Sequence, residues 1–493
     1  MNAAIIGAGL GGLSCGIHLQ KRGFRVTIYE KNATPGGRAG VLQEKGFRID
    51  MGPTLILMPE VLEGVFKTAG KAMEDYVRLQ KVDPAYRIHY GDGQTFDMTT
   101  DRERLLAQIG SFVPGGQKIF KRYEADVRAK FESSRGNFIE KNFDSVLDMV
   151  SLESLIGFLK IKPYGNAYDH VYRYFREPHV AAAFSCQTLY LGESPFRVPS
   201  LYNLLAYLEF TYGIWYPEGG ISTIPRSLAR VFTELGGVIQ YGSDIESVVV
   251  EGRQAKGVRL RGGTVELADI VISNRDIGAS YLEFIDEKNR PSLPDRRIRS
   301  WRYGQSTVLY YLGLRKKIPG LLHHNIFLSS DFKKSCDEIF VKGVLPQDPL
   351  LYVCVPSKSD PTAAPEGKEA VYILALTPNL KGFVDWENDL GLFRKRVFDV
   401  LAQRGFEIAE RDVELERVFT PRDFESQYGS LYGNAFGLGP GFFQSACFRP
   451  SIKSHDVARL YHTGASTHPG SGIPMVLTSG RLAAESAAKD FKS

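Results

Sequence analysis

Two glycine-rich turns, one near each end of the chain, are spaced so that backbone N–H groups could hold a phosphate. The first is Gly7-Ala8-Gly9-Leu10-Gly11-Gly12. The apolar run Ala3-Ala4-Ile5-Ile6 precedes it. Leu13 to Arg22 follows, with Leu13 and Ile17 on one helical face, and Gly23 ends that stretch. Val26 to Tyr29 then lead into Glu30. This order predicts a strand, a glycine turn, a helix, a second strand and an acid, the arrangement that binds a dinucleotide. Gly7 permits the tight turn, Gly9 lets the backbone approach a pyrophosphate, and Gly12 lets the helix pack against the strand. The helix start offers free N–H groups and the positive end of its dipole. Glu30 stands where a carboxylate can accept from a ribose diol, which disfavours a 2′-phosphate.

That motif alone does not separate FAD from NAD. The segment after Glu30 does. Pro35-Gly36-Gly37-Arg38 is followed by Gly46-Phe47, Asp50 and Gly52-Pro53-Thr54. Gly37 and Arg38 together let backbone and guanidinium approach a flavin pyrophosphate. The bland alternative is a surface loop with a solvated arginine. The second glycine-rich turn lies in residues 458–480, ARLYHTGASTHPGSGIPMVLTSG. Leu460-Tyr461-His462 predicts a short strand, Gly464 to Gly472 a turn, and Met475 to Ala487 a helix. The two ends would then share one FAD site.

At this point the chain resembles the bacterial and fungal phytoene desaturases and their diapophytoene relatives, within the FAD-dependent amine oxidase-like superfamily. The resemblance runs through GAGLGGLSCGIHLQKRGFRVTIYEKNATPGGRAG, GFRIDMGPT, Trp215 to Gly220, SNRD at 273–276, and His323-His324. It continues through DPTAAPEG at 360–367, Phe419-Thr420-Pro421, FRP at 448–450 and GASTHPGSGIP at 464–474. It implies that Gly464 and the stretch holding His468, Pro469, Gly470 and Pro474 lie against the flavin. Ile245 falls at a backbone contact on the adenine side. Met475 stands where many phytoene desaturases have Gly. The run 474–480 is closer to the diapophytoene enzymes, whereas Thr467-His468 is closer to the C40 ones. The resemblance therefore implies removal of two hydrogens from adjacent carbons of a linear polyisoprenoid, C40 or C30. The alternatives are oxidation of a diapocarotenoid's terminal methyl, another flavin oxidase of the same superfamily, and a flavin-free prenyl-protein carrier on the same fold.

Such a reaction sends a hydride to the flavin and leaves a proton to be accepted. Asp148, a carboxylate within Ser-Val-Leu-Asp-Met-Val, is a candidate base, and Glu209 in Ala-Tyr-Leu-Glu-Phe-Thr-Tyr is another. Burial would raise the pKa of either. His468 suits positioning of flavin or substrate better than base chemistry. No metal site is expected. Adjacent side chains such as those of His323 and His324 should diverge, and neither HExxH nor CxxC occurs. With one dinucleotide motif in the chain, reduced flavin is expected to pass its electrons to oxygen or a quinone.

The elements that must position these residues need more than one core, since the chain has 493 residues. The expected fold is α/β. It comprises a discontinuous Rossmann-type FAD-binding domain (1–80, 215–285 and 425–493) and an α+β substrate domain with a mixed sheet and helical cap (81–214 and 286–424), the latter facing the membrane. Residues 237–272 should add a meander to the Rossmann sheet. Residues 86–98 should form a hairpin around Gly91-Asp92-Gly93, 305–314 and 371–376 further strands, and 102–190 mostly helices. A net charge of +5 from 61 basic and 56 acidic residues does not argue for nucleic acid. Five cysteines without a CxxC pair suit free thiols in a reducing compartment. No secretory signal and no apolar run of spanning length are read. Val146 to Lys162 reads as a core helix or as one dipping into a membrane. The expected place is the cytoplasm, peripheral on the membrane's cytoplasmic face.

Overall fold

The protein is described here from a computed structural model, which covers residues 1–142, 165–441, 444–445 and 448–491. Asp148, the Val146–Lys162 segment and Cys447 lie outside the described residues.

The amino-terminal strand Asn2–Ile6 is the centre of a parallel five-stranded sheet. The strands run Leu460–His462, Ile270–Ser273, Asn2–Ile6, Arg25–Glu30 and Val238–Tyr241. Ile270, Val271 and Ile272 are fully buried, as a central parallel strand covered on both faces requires. Helix Leu10–Gln20 and the carboxyl-terminal helix Ile473–Lys489 pack against each other beside this sheet. Their approach is close enough to require glycine. A Cβ on Gly480 would lie 2.5 Å from the Gly11 carbonyl oxygen. Ser14 Oγ donates to the Leu477 carbonyl across the same seam at 2.8 Å.

The expected meander differs in one respect. Strands Val238–Tyr241 and Ile270–Ser273, at its two ends, belong to the parallel sheet. The three strands between them (Ile245–Glu251, Gln254–Leu260 and Val265–Leu267) form an antiparallel sheet of their own. The alternating pattern of 245–267 has one solvated face, whereas Ile270-Val271-Ile272 has none and must be covered on both sides.

A second, mixed sheet has seven strands in the order Val413–Phe419, Ser306–Leu314, Glu369–Thr377, Leu351–Cys354, His324–Phe327, Tyr86–His89 and Thr95–Met98. The 86–98 hairpin forms as its edge. Ser306–Leu314 is buried along its whole length, between two antiparallel neighbours. Helices Gly116–Ser134, Ala167–Phe175 and Leu204–Tyr212 make a cap with an aromatic interior, in which Phe120, Tyr123 and Phe184 meet. Val180 to Gly192, the most apolar run, folds as a short helix followed by a 3₁₀ turn. Among the described residues no helix is long and apolar enough to cross a membrane. Cys15, Cys186, Cys336 and Cys354 are buried free thiols.

Candidate active site

A cavity of about 690 Å³ runs between the two sheets. At one end it is bounded by Gly7, Gly9, Glu30, Gly37, Arg38, Gly52, Pro53 and Thr54. Ile245 borders the same end, and Gly464, Pro469, Gly470, Pro474 and Met475 come from the carboxyl-terminal segment. Residues more than 400 apart in sequence thus face one space. Gly12 lies outside the lining. A Cβ there would sit 2.2 Å from the Gly7 carbonyl oxygen, so this glycine closes the turn against the strand.

Two helices begin at the cavity, after Gly9 and after Gly472, and neither is capped by a side chain. Their first N–H groups are therefore available to a ligand, with the dipole favouring an anion. Glu30 is buried beside the first of them. Its Oε2 accepts from the Ala8 N–H at 2.8 Å, and its Oε1 accepts from the N–H and side chain of Asn32 at 2.9 and 2.7 Å. A carboxylate has lone pairs left for a ribose. Arg38 is half-buried, and desolvation of its guanidinium lowers its pKa. Its Nη1 donates to the Ala435 carbonyl at 2.9 Å and its Nη2 to Ser430 Oγ at 2.6 Å. Part of the guanidinium fork thus ties the amino-terminal loop to residues 430–435. Gly52 is needed for that loop to fold back, because a Cβ would stand 1.9 Å from the Arg38 carbonyl oxygen.

Three residues in the quoted motifs carry structure that spacing did not reveal. Asn274 of SNRD is wedged between the two glycine turns, so that a Cβ on Gly9 would meet its Nδ2 at 2.6 Å and one on Gly464 its Oδ1 at 3.2 Å. Asp276 accepts from Ser466 Oγ at 2.6 Å. Arg449 of FRP is buried and donates to the carbonyls of Thr467 and Ala465 at 2.8 and 2.7 Å. Their presence inside recurrent motifs was the available signal. His468 borders the cavity, with its Nε2 held by the Lys141 carbonyl at 2.9 Å. That contact makes Nε2 a donor and suits positioning.

The other end of the cavity is apolar. Its walls include Phe131, Leu189, Leu205, Leu208, Leu328 and Leu350. Among the described residues, no Asp, Glu, Lys or Arg lines it between 131 and 142, between 165 and 208 or between 307 and 376. Behind the wall, Glu209 is fully buried and accepts from Tyr86 Oη at 2.5 Å and Gln187 Nε2 at 3.1 Å. Burial, opposed by those two hydrogen bonds, pushes its pKa up to about 8.

The expectation for His323 and His324 is corrected. Their rings do not diverge, and the centroids are 4.2 Å apart. His323 precedes the strand that begins at His324, so the pleat does not alternate them. Ser359 Oγ holds His323 Nδ1 at 2.8 Å, and Tyr352 Oη holds His324 Nδ1 at 2.7 Å. One donor atom from each of these histidines and from Cys354 lies within 4.8 Å of the others. Tyr352 also meets Thr54 Oγ1 at 2.6 Å, which couples the pair to the cavity wall.

Residues 10–488 match the family of flavin containing amine oxidoreductases. The chain is 37% identical to a zeta-carotene-forming phytoene desaturase of Myxococcus xanthus, over 98% of this chain and 92% of that protein. It is 32% identical to a 4,4′-diapophytoene desaturase (4,4′-diaponeurosporene-forming) of Staphylococcus aureus strain Newman, over 100% and 99%. Among solved structures, an oxidoreductase from Methanosarcina mazei superposes with a TM-score of 0.65 at 16% identity, covering 98% of this chain and all of that one.

Proposed function

Because the chain belongs to the flavin containing amine oxidoreductase family, in its phytoene and diapophytoene desaturase branch, we propose that it is an FAD-dependent carotenoid desaturase that introduces double bonds into a linear polyisoprenoid. The observation that carries this reading is a cavity joining the dinucleotide cradle to a wall that is uncharged among the described residues. On the described part of that wall an ammonium substrate would find no carboxylate, whereas a hydrocarbon loses nothing there. The residues present fit FAD. Two uncapped helix starts face the space, a buried carboxylate stands beside one, and the approach is so close that a Cβ on Gly9 would strike Asn274.

FAD, when bound, supplies the hydride-accepting ring. The chain's own residues do the rest. Gly7, Gly9 and Glu30 fix the dinucleotide end, and Gly464 to Met475 close over the cofactor there from the carboxyl-terminal side. The Leu and Phe wall keeps water out and holds the substrate by shape. Each methylene then discriminates by only about 1–3 kcal/mol, so substrate length is set by the extent of the cavity. We assign the enzyme to the cytoplasmic face of the membrane, in peripheral contact, because its substrate dissolves in lipid. We assign reoxidation to oxygen or a quinone.

Cells supplying either phytoene or 4,4′-diapophytoene, each co-expressing this chain, test the reading by pigment analysis. New conjugated products from one precursor establish desaturation and its chain length. No product from either, with flavin-loaded protein present, would shift the assignment to terminal-methyl oxidation. Feeding a preformed diapocarotenoid then decides that alternative. Membranes from a producing strain, assayed without oxygen, should regain product formation on adding a quinone.

A further inference from the structure

Desaturation leaves a proton, and among the described residues the apolar part of the cavity wall offers it no ionised acceptor. Directly behind that wall, one buried cluster is made of acid–base groups. Tyr190 borders the cavity, as do its neighbours Cys186 and Leu189. The Tyr190 hydroxyl neighbours that of Tyr86 without a formed hydrogen bond. Tyr86 Oη donates to Glu209 Oε2 at 2.5 Å and accepts from Gln187 Nε2 at 2.7 Å. Gln187 is itself anchored to the Ala183 carbonyl at 2.8 Å. Among the described residues, no hydrogen bond of regular geometry reaches Tyr190 Oη, Gln187 Oε1 or Glu209 Oε1 in this small space. Unsatisfied buried oxygens are costly, and three together call for an explanation.

We propose that Glu209 is the terminal proton acceptor for the cavity, reached through Tyr190 and Tyr86. This rests on the desaturase reading. One substrate C–H bond breaks with its electron pair leaving as hydride to the flavin. The neighbouring C–H bond breaks, and its electrons form the new π bond. Its proton passes to Tyr190 Oη, the Tyr190 proton to Tyr86, and the Tyr86 proton to the Glu209 carboxylate, which becomes a neutral acid. Rotation of the free Tyr190 hydroxyl toward Tyr86 completes the path. The proton is then released before the next turnover.

The surroundings suit a group that must hold and lose a proton. Among the described residues Glu209 has no cationic partner. The titratable groups near it are Tyr86, Tyr190 and Cys186, all raised by burial. Its own helix carries Tyr207 and Tyr212, and Lys130 on the packed helix Gly116–Ser134 is held by Asp126 at 3.0 Å. Burial therefore dominates and raises the carboxyl to about 8. Since the ionised form accepts, about a tenth of the enzyme is competent at pH 7 and turnover rises as pH passes through 8.

The test uses flavin-loaded protein. Infrared pH-difference spectra should show a buried carboxylic C=O band that disappears with a midpoint near pH 8, and Glu209→Gln should lack it. Turnover per bound flavin in Glu209→Gln should fall about tenfold or more and lose its alkaline rise. Glu209→Asp should restore part of both. Tyr190→Phe should slow turnover while keeping the band. Unchanged turnover in Glu209→Gln, or in Glu209→Asp and Tyr190→Phe should the former not load flavin, would overturn the proposal. So would the band with a flat pH profile. Wild-type protein that shows the band but desaturates no precursor would instead count against the desaturase reading.

Discussion

At the scale of single residues, the dinucleotide end depends on atoms whose roles cannot be exchanged. Glu30 accepts three hydrogen bonds from the turn and from Asn32, and still faces the cavity. Glu30→Gln keeps its size but turns one acceptor into a donor aimed at donors. Hydrogen bonds to a charged group are worth about 1.5–3 kcal/mol, so flavin affinity should fall roughly 10- to 100-fold. Titration of flavin-depleted protein with FAD, followed by flavin fluorescence, measures this. Equal affinity would mean that Glu30 only braces the turn. The carboxylate was legible in the sequence because the strand, turn, helix and acid are contiguous. Glu209 was legible as a carboxylate in an apolar stretch, but its partners were not. Tyr86 is 123 positions away, and only the fold brings the two together. Asn274 and Arg449 were visible inside motifs, yet their work, bracing the carboxyl-terminal turn, shows only in three dimensions.

At the scale of elements, the two helices that pack against each other beside the Rossmann sheet come from opposite ends of the chain. Their starts, after Gly9 and Gly472, both open onto the cavity, so their seam sets the width of the FAD cradle. Gly480 faces Gly11 and Ser14 there, with room for no Cβ. Gly480→Ala should push the helices apart at a cost of about 1–3 kcal/mol, as overpacking does. Flavin release should then come at a lower urea concentration than in the wild type, and an unchanged midpoint would mean that the seam gives without moving the cradle. Strands with one periodicity, such as 86–98 and 460–462, were readable from pattern alone. The split of 237–272 between two sheets was not, because a short apolar run looks alike in a meander and in a parallel core. The convergence of His323 and His324 was hidden for a related reason. A strand boundary falls between them, and alternation holds only inside a strand.

At the scale of the whole molecule, the proposed substrate would dissolve in lipid, while no described helix is long and apolar enough to cross a bilayer. Val341 and Phe383 are 63% and 84% exposed, and the segments that bear them, the end of the π-helix Glu338–Lys342 and the loop at Phe383, are joined by the Phe383 N–H to the Gly343 carbonyl at 2.7 Å. Lys342 and Lys381 flank them in sequence. Apolar tips between cations suit the boundary between acyl chains and anionic headgroups, where each nearby cation contributes about 1 kcal/mol. The overall charge of +5 acts in the same direction. Flavin-loaded protein should therefore float with vesicles containing anionic lipid, less so with neutral ones, and less again as salt screens the surface. Replacing Val341 and Phe383 together by Ser should reduce flotation severalfold while leaving flavin content unchanged, since neither side chain lines the cavity. Equal flotation of the double variant would move the contact elsewhere on the surface. Failure of the wild type to float on any vesicle would remove the peripheral assignment itself.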